Sequence, residues 1–286
     1  MTSEPTFRNI SDTAIWAAIY RARETDRPNA LFRDPLARRL VGERGDRIVA
    51  SLAQKDEHEW AWVMRTVLFD RFIEAEVGNG ADMVVNLAAG LDARPYRMAL
   101  PPSLRWIEVD LPDLVDEKET LLRNETPVCR LERIRLDLAD PAARRELFQR
   151  LGGEARRALV ITEGLLIYLT REEVAALAED LAAARGFRRW ALDVASPGLL
   201  RLLQKEVGAA LDSAGAPLKF GPPEGPGFFA PYGWRALAVE SPLKAAARAK
   251  RLPLWLRLIA LLPESSGPQG NRPWSGICLL EKTVGA

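Results

Sequence analysis

A single histidine, His58, and two cysteines, Cys129 and Cys278, serve a chain of 286 residues. Two cysteines without metal-type spacing argue against a zinc framework or a disulfide scaffold. They read as reduced core thiols of a cytoplasmic protein, and no metal site is expected. A surplus of charge is also missing. The 40 basic and 39 acidic residues leave a net charge of +1, so bulk charge implies neither nucleic acid nor an anionic membrane as partner. The longest apolar stretch, residues 252–262, contains Pro253 and Arg257. It is shorter than the roughly 20 residues a spanning helix needs. The opening residues Met1-Thr2-Ser3-Glu4-Pro5 lack a basic-plus-apolar pattern, so no signal peptide is expected. What is present is 48% hydrophobic and 28% charged residues, the balance of a globular chain able to bury a real core. The length fits one large α/β domain with additions or two small ones, and no internal repeat is visible.

Residues 11–80 read as helical. Ile15, Ala18, Ile19 and Ala22 share one face between Thr13 and Arg23; Asp34-Pro35 predicts an N-cap and first position; Trp60, Val63, Val67, Leu68 and Phe72 recur at helical spacing. From about residue 82 strands and helices alternate. Strands are predicted at 83–88, 105–109, 131–136, 158–162 and 189–194, with helices at 92–99, 112–123, 140–150 and 171–185. Such alternation implies an α/β fold with a mainly parallel sheet and helices on both faces. The pattern breaks over 196–235, where Pro217, Pro222, Pro223, Pro226 and Pro231 mix with five glycines, and this stretch reads as part of a lid or substrate wall. Two last strands are predicted at 236–240 and 275–282, with an amphipathic helical segment at 243–262 between them. Within it, Trp255, Leu256, Leu258, Ile259 and Leu262 suit core packing, a lid over an apolar substrate, or a partner subunit.

The run Met83-Val84-Val85-Asn86-Leu87-Ala88-Ala89-Gly90-Leu91-Asp92 is a buried strand ending in small residues. Small residues there let a ligand approach the backbone, at the place where open α/β sheets bind ligands. A dinucleotide fingerprint needs Gly-x-Gly-x-x-Gly; from Ala88 this chain has Ala-Ala-Gly-Leu-Asp-Ala, without the first and last glycines and without a phosphate-cradling lysine. That disfavours hydride transfer. S-adenosylmethionine, which has no phosphate, needs small residues here and an acid at the end of the next strand. Asp110 in Glu108-Val109-Asp110 suits the ribose hydroxyls, with an N-cap before Leu111-Pro112 as the alternative role.

The ordered motifs Asn86 to Arg94 with Tyr96-Arg97, Glu108-Val109-Asp110-Leu111-Pro112 with Lys118, Leu136-Asp137-Leu138, and Thr162-Glu163-Gly164-Leu165-Leu166-Ile167-Tyr168-Leu169 resemble the leucine carboxyl methyltransferase family. Its bacterial branch includes polyketide O-methyltransferases. Ser11-Asp12-Thr13-Ala14, Tyr20 to Glu24 and Phe32 to Ala37 are similar to that branch as well. The likeness covers about 10–195, with a weaker echo at Gly233-Trp234 and in the last strand. It implies a class I methyltransferase fold, Rossmann-like, with a seven-stranded sheet. A helical cap is expected over 1–80, and a core over 81–286 with a substrate lid at about 196–262.

Carried over residue by residue, the likeness implies that Arg65, helped by Arg21 or less readily Arg23, holds the methionine carboxylate. The backbone from Ala88 to Gly90 would line S-adenosylmethionine, and Asp110 would take its ribose. Asp137 and Leu138 would meet the adenine, and Glu163 would stand near the sulfonium. Ala88 departs from the family's glycine. Its methyl group is tolerated if φ is negative; otherwise altered cofactor placement or weaker affinity is expected.

Methyl transfer from a sulfonium is an in-line displacement that depends on positioning and the exclusion of water. A carboxylate acceptor is already ionised near neutral pH, whereas a phenol or alcohol gains from a base. With one histidine, placed among charges at Lys55-Asp56-Glu57-His58-Glu59, the chain leans to a carboxylate. His58 is a candidate base or a solvated surface group. Tyr168 is a candidate substrate-side hydroxyl or a packed aromatic. Arg201, Arg248 and Arg251 could pair with an acceptor carboxylate. The expected activity is O-methylation, by S-adenosylmethionine with S-adenosylhomocysteine as product, of a carboxylate on a polyketide-like small natural product. The alternatives are a phenol or hydroxyl acceptor, a protein C-terminal carboxylate, or a non-catalytic cofactor-binding protein. The partner is a small-molecule acceptor, and a homodimer is allowed.

Overall fold

A computed structural model describes residues 12–42, 58–263 and 269–283. The parts of the N-terminal reading that fall on Ser11 and on residues 43–57 lie outside the described residues. Seven strands form one sheet: β1 Met83–Leu87, β2 Arg105–Asp110, β3 Arg130–Arg135, β4 Ala158–Thr162, β5 Phe187–Ala195, β6 Trp234–Glu240 and β7 Ser275–Lys282. Their order is β3-β2-β1-β4-β5-β7-β6. β7 runs antiparallel to β5 and β6, and the other pairs are parallel. All seven predicted strands are present, with ends moved by at most two residues. Every residue of β1 and β4 is buried, the sign of a strand covered on both faces.

The longer helices are α1 Asp12–Asp26, α2 Glu59–Gly78, α3 Pro112–Leu122, α4 Pro141–Glu154, α5 Arg171–Ala183, α6 Pro197–Ser213, α7 Pro242–Arg248 and α8 Leu254–Ala260, and the helix predicted at 92–99 shrinks to one turn, Arg94–Arg97. On one face of the sheet, Met83, Val85 and Leu87 meet Phe148 and Leu151 of α4 and Leu177 and Leu181 of α5. On the other face, Val84 and Trp106 meet Met64, Leu68 and Phe69 of α2. A third apolar layer joins α1 to α3 and α6, through Ile15, Ile19, Leu114, Val207 and Leu211.

Three expectations change. The break over 196–235 contains a full helix, α6, begun by Ser196, whose hydroxyl accepts from Leu199 N at 3.1 Å, and by Pro197 at the first position. A 3-10 helix follows at Gly225–Tyr232, where Phe228 and Phe229 are buried. The amphipathic segment at 243–262 is not one helix, because Lys250 has φ +58° and Pro253 follows, which separates α7 from α8. In α8 only Leu256 and Ala260 are buried; Trp255, Leu258 and Ile259, with Leu262 just after the helix, are exposed, so they are not core. Finally, Asp34 does not cap the next helix with its side chain: that carboxylate binds Arg21, and the helical residues start at 37.

The chain runs outward through β1, β2 and β3 and then crosses back to β4, so β1 and β4 are neighbours at a topological switch point. The crevice outside their carboxyl ends is where such sheets bind ligands.

Candidate functional site

Two strand ends form this edge. At the first, β1 ends in Ala88 and Gly90, with φ +52° and +50°. The negative φ that would make Ala88 unremarkable is therefore absent; a left-handed alanine costs on the order of 1 kcal/mol. The turn is held by the neighbouring acid. Asp110 Oδ2 accepts from Gly90 N at 2.6 Å and Oδ1 from Leu111 N at 2.8 Å. The N-cap of α3 is Leu111 without a side-chain cap bond, so the capping alternative for Asp110 is not what forms. Burial pushes the Asp110 carboxyl above its ordinary value, against the two N–H donors and Lys118. An ionised carboxylate has about four acceptor positions, so two donors leave it able to take more.

Helix α1 lies directly on this turn. A Cβ on Gly90 would stand 3.0 Å from the Ala14 Cβ. Arg21 fixes the approach: its Nη2 donates to Leu91 O at 2.6 Å and its Nε to Asp34 at 2.9 Å. Next in the sheet, Leu136 N donates to Asp110 O at 2.9 Å, which sets Asp137 one residue beyond. Asp137 is exposed and accepts from Ala139 N at 2.9 Å. Leu138 is half-buried, and its carbonyl accepts from Arg144 at 2.9 Å.

At the second strand end, side-chain charge does the holding. Glu163 Oε1 accepts from Arg65 Nε at 3.1 Å, and Oε2 lies 2.8 Å from Arg94 Nη1. Arg65 Nη1 is 3.7 Å from Asp193 Oδ2, and Asp193 Oδ1 accepts from Gly164 N at 2.8 Å. Gly164 has φ +71°, and a Cβ there would stand 3.1 Å from Arg65 Nη1. The guanidinium also covers the Trp62 ring at 4.5 Å, and Trp62 stacks on Tyr20 at 5.7 Å. Arg65 meets the two acids through Nε and Nη1.

Behind Arg65 the network continues inward. Arg94, 3% exposed, reaches Asp70 at 2.6 Å and Asp92 at 2.9 Å, and Arg97 Nη1 also reaches Asp70 at 2.8 Å. Asn86, on β1, donates to Asp92 at 2.8 Å. Burial pushes the Asp92 carboxyl up, but Arg94, with Lys118, Arg21 and Arg97, outweighs it and holds that group far below the carboxylate range. Burial pushes Asp193 up, and Arg65 and Gly164 N do not fully offset it. Sequence reasoning gave no role to Asp70, Asp92, Arg94, Arg97 or Asp193. Asp92, Arg94 and Arg97 lie inside the first family motif, but Asp70 and Arg94 are 24 positions apart and no periodicity links them.

Tyr168 closes the 3-10 turn Leu166–Tyr168 and packs, half-buried, against the layer made by α1 and α6. His58 is exposed just before α2, without a side-chain cap bond. It stands about two helical turns before Arg65. Arg201 bonds Asn271 at 2.6 Å, Arg248 bonds Glu240 at 3.2 Å and Arg251 bonds Glu24 at 2.8 Å, so each has a protein partner. Among the described residues no group of three metal-ligating side chains forms.

Residues 14–182 match the family described as Leucine carboxyl methyltransferase. The chain belongs to this family. Membership brings S-adenosylmethionine as cofactor, and the edge suits it: a small-residue turn beside a carboxylate with acceptor positions to spare, and an arginine one strand away. A Frankia alni protein named "Putative S-adenosyl-L-methionine-dependent methyltransferase" is 33% identical over 255 residues, 84% of this chain and 87% of its own. Two solved structures share the fold at low identity. One, titled a putative methyltransferase from Thermobifida fusca, has a TM-score of 0.59 at 15% identity, covering 98% of this chain and 96% of its own. The other, a DUF574 family protein from Streptomyces avermitilis, has a TM-score of 0.58 at 14% identity, covering 93% and 97%.

Proposed function

We propose that this chain is an S-adenosylmethionine-dependent O-methyltransferase that esterifies a carboxylate of a small, largely apolar natural product of polyketide type. The observation that carries the acceptor class is the commitment of the acids at the β4 end. Both oxygens of Glu163 face arginines, and Asp193 is engaged by Gly164 N and Arg65. Oxygens already facing arginine and backbone donors are poorly placed to reach a proton on the acceptor, which favours an acceptor that arrives ionised. When bound, the cofactor supplies an electrophilic methyl group on a sulfonium.

In this reading Arg65 takes the methionine carboxylate, with Glu163 and Asp193 fixing the plane of its guanidinium. Arg21 helps by pinning α1 on the Gly90 turn. Asp110 accepts from the ribose hydroxyls through its remaining lone pairs. Asp137 and Leu138 meet the adenine, one by accepting from the amino group and the other by packing on the ring. The backbone of Ala88 to Gly90 lines the site. Tyr168 and the aromatic group around Trp62 border the apolar acceptor and exclude water, and His58 is left as an exposed candidate base.

A hydroxyl acceptor is the second reading, favoured by the raised carboxyl of Asp193 beside the same strand end. Mass spectrometry of a methylated product separates the two. A methyl group lost in mild base is an ester and supports the carboxylate reading; a base-stable methyl ether would overturn it.

A further inference from the structure

The outward face of α8 lies outside the site described above. Leu256 and Ala260 turn inward, and the positions opposite them are Leu254, Leu258 and Leu261, which are 77%, 70% and 81% exposed. Trp255 and Leu262 flank them and are exposed too. On a helical wheel of about 100° per residue, Leu258 lies opposite the buried pair, so this apolar face points straight out of the protein.

The charge within this segment has one sign. Between Ser241 and Pro263 the chain carries Lys244, Arg248, Lys250, Arg251 and Arg257 and no acid. Arg251 is engaged by Glu24 and Arg248 by Glu240. Lys250 and Arg257 are exposed, and neither forms an ion pair with an acid among the described residues. No helix among the described residues is long and apolar enough to cross a membrane.

We propose that α8 docks the protein on an anionic lipid surface. Leu254, Leu258, Leu261 and Trp255 would enter the boundary between headgroups and acyl chains, with Lys250 and Arg257 among the lipid phosphates. A second copy of this chain is the weaker occupant, because a two-fold contact would press the same basic face against itself. A nucleic acid would meet leucines where it needs hydrogen-bonding groups. The surface would bring the enzyme to acceptors that partition into lipid.

Vesicle flotation of the full chain tests this, with phosphatidylcholine alone and with a phosphatidylglycerol mixture. The bound fraction should be about tenfold higher or more on the anionic vesicles and should fall as salt rises. A blue shift of Trp255 emission, read as the difference from Trp255→Phe, should accompany binding. The triple variant L254S/L258S/L261S should lose binding while keeping the wild-type thermal melt, since these side chains are exposed. K250E/R257E should lose only the preference for the anionic lipid. Equal binding to both vesicles by the wild type would overturn the proposal. So would unchanged binding of the triple variant, or its conversion from a dimer to a monomer without effect on vesicles.

Discussion

The ends of β1 and β4 lie side by side on one sheet edge and are built in opposite ways. The β1 end is made of backbone: two residues at positive φ, tied by a single carboxylate, Asp110, that accepts from Gly90 N and Leu111 N. The β4 end is made of charge: Glu163 and Asp193 hold Arg65, and Arg94, Asp92 and Asp70 stand behind it. Hydroxyl groups need an acceptor with lone pairs to spare, and the first end keeps one. An amino-acid carboxylate needs a cation of fixed orientation, and the second end holds one in a lattice of ion pairs. In the proposed reading the two electrostatic tasks differ, and so do the acids: Asp110 is raised by burial, whereas Asp92 is lowered despite it.

The largest effect should come from the charged end. Arg94→Met leaves Asp92, Asp70 and Glu163 buried with less compensation and should cost about 3–5 kcal/mol of stability. Urea unfolding would measure it; a loss below 1 kcal/mol would mean that the network is not structural. Asp110→Ala should weaken S-adenosylhomocysteine binding by roughly 1–3 kcal/mol, the cost of buried hydroxyls losing an acceptor. Calorimetry that found unchanged affinity would remove Asp110 from the cofactor site. Ala88→Gly should relieve the left-handed alanine while adding the entropy of a glycine, a net gain of no more than about 1 kcal/mol in stability. Cofactor affinity should be unchanged or higher in that variant, and a clear loss of either would mean that the methyl group has a packing role.

The smallest effect is one of sign. Asp92 is depressed in the folded state, so its contribution is complete above the unfolded carboxylate value of about 4 and is lost as pH falls below it. Asp110 is raised, so the free protein loses stability as pH climbs from about 4 through its folded value. Unfolding curves recorded through this window should show a flatter pH response for Asp110→Asn than for the wild type. An identical slope would put the raised group elsewhere.

Much of the sheet is legible without coordinates, because β1 and β4 are short, mostly apolar runs, the first followed by Ala88-Ala89-Gly90 and the second by Glu163-Gly164. Helix α6 is less so. Its start, Ser196-Pro197, carries a cap signature, but the prolines and glycines after 215 dominate the window and hide the seventeen-residue helix before them. Helix α8 shows the reverse: apolar spacing that suited core, lid and partner contact alike is an exposed face, because periodicity reports which residues share a side and not what that side meets. Asp110 could be picked out by its place at a strand end, and Glu163 by the family likeness. Asp70 and Asp193 could not, since their partners come from distant positions in the chain.

Local sequence determined the strand–helix alternation, the small-residue turn at Ala88-Ala89-Gly90 and the family motifs, because hydrophobic period and turn chemistry act over a few residues. The tertiary structure alone decided the positive φ of Ala88, the capture of Gly90 by Asp110 and the ion network from Asp70 to Asp193. Charges that are far apart in sequence acquire a low-dielectric setting, and therefore energetic weight, only when folding brings them together.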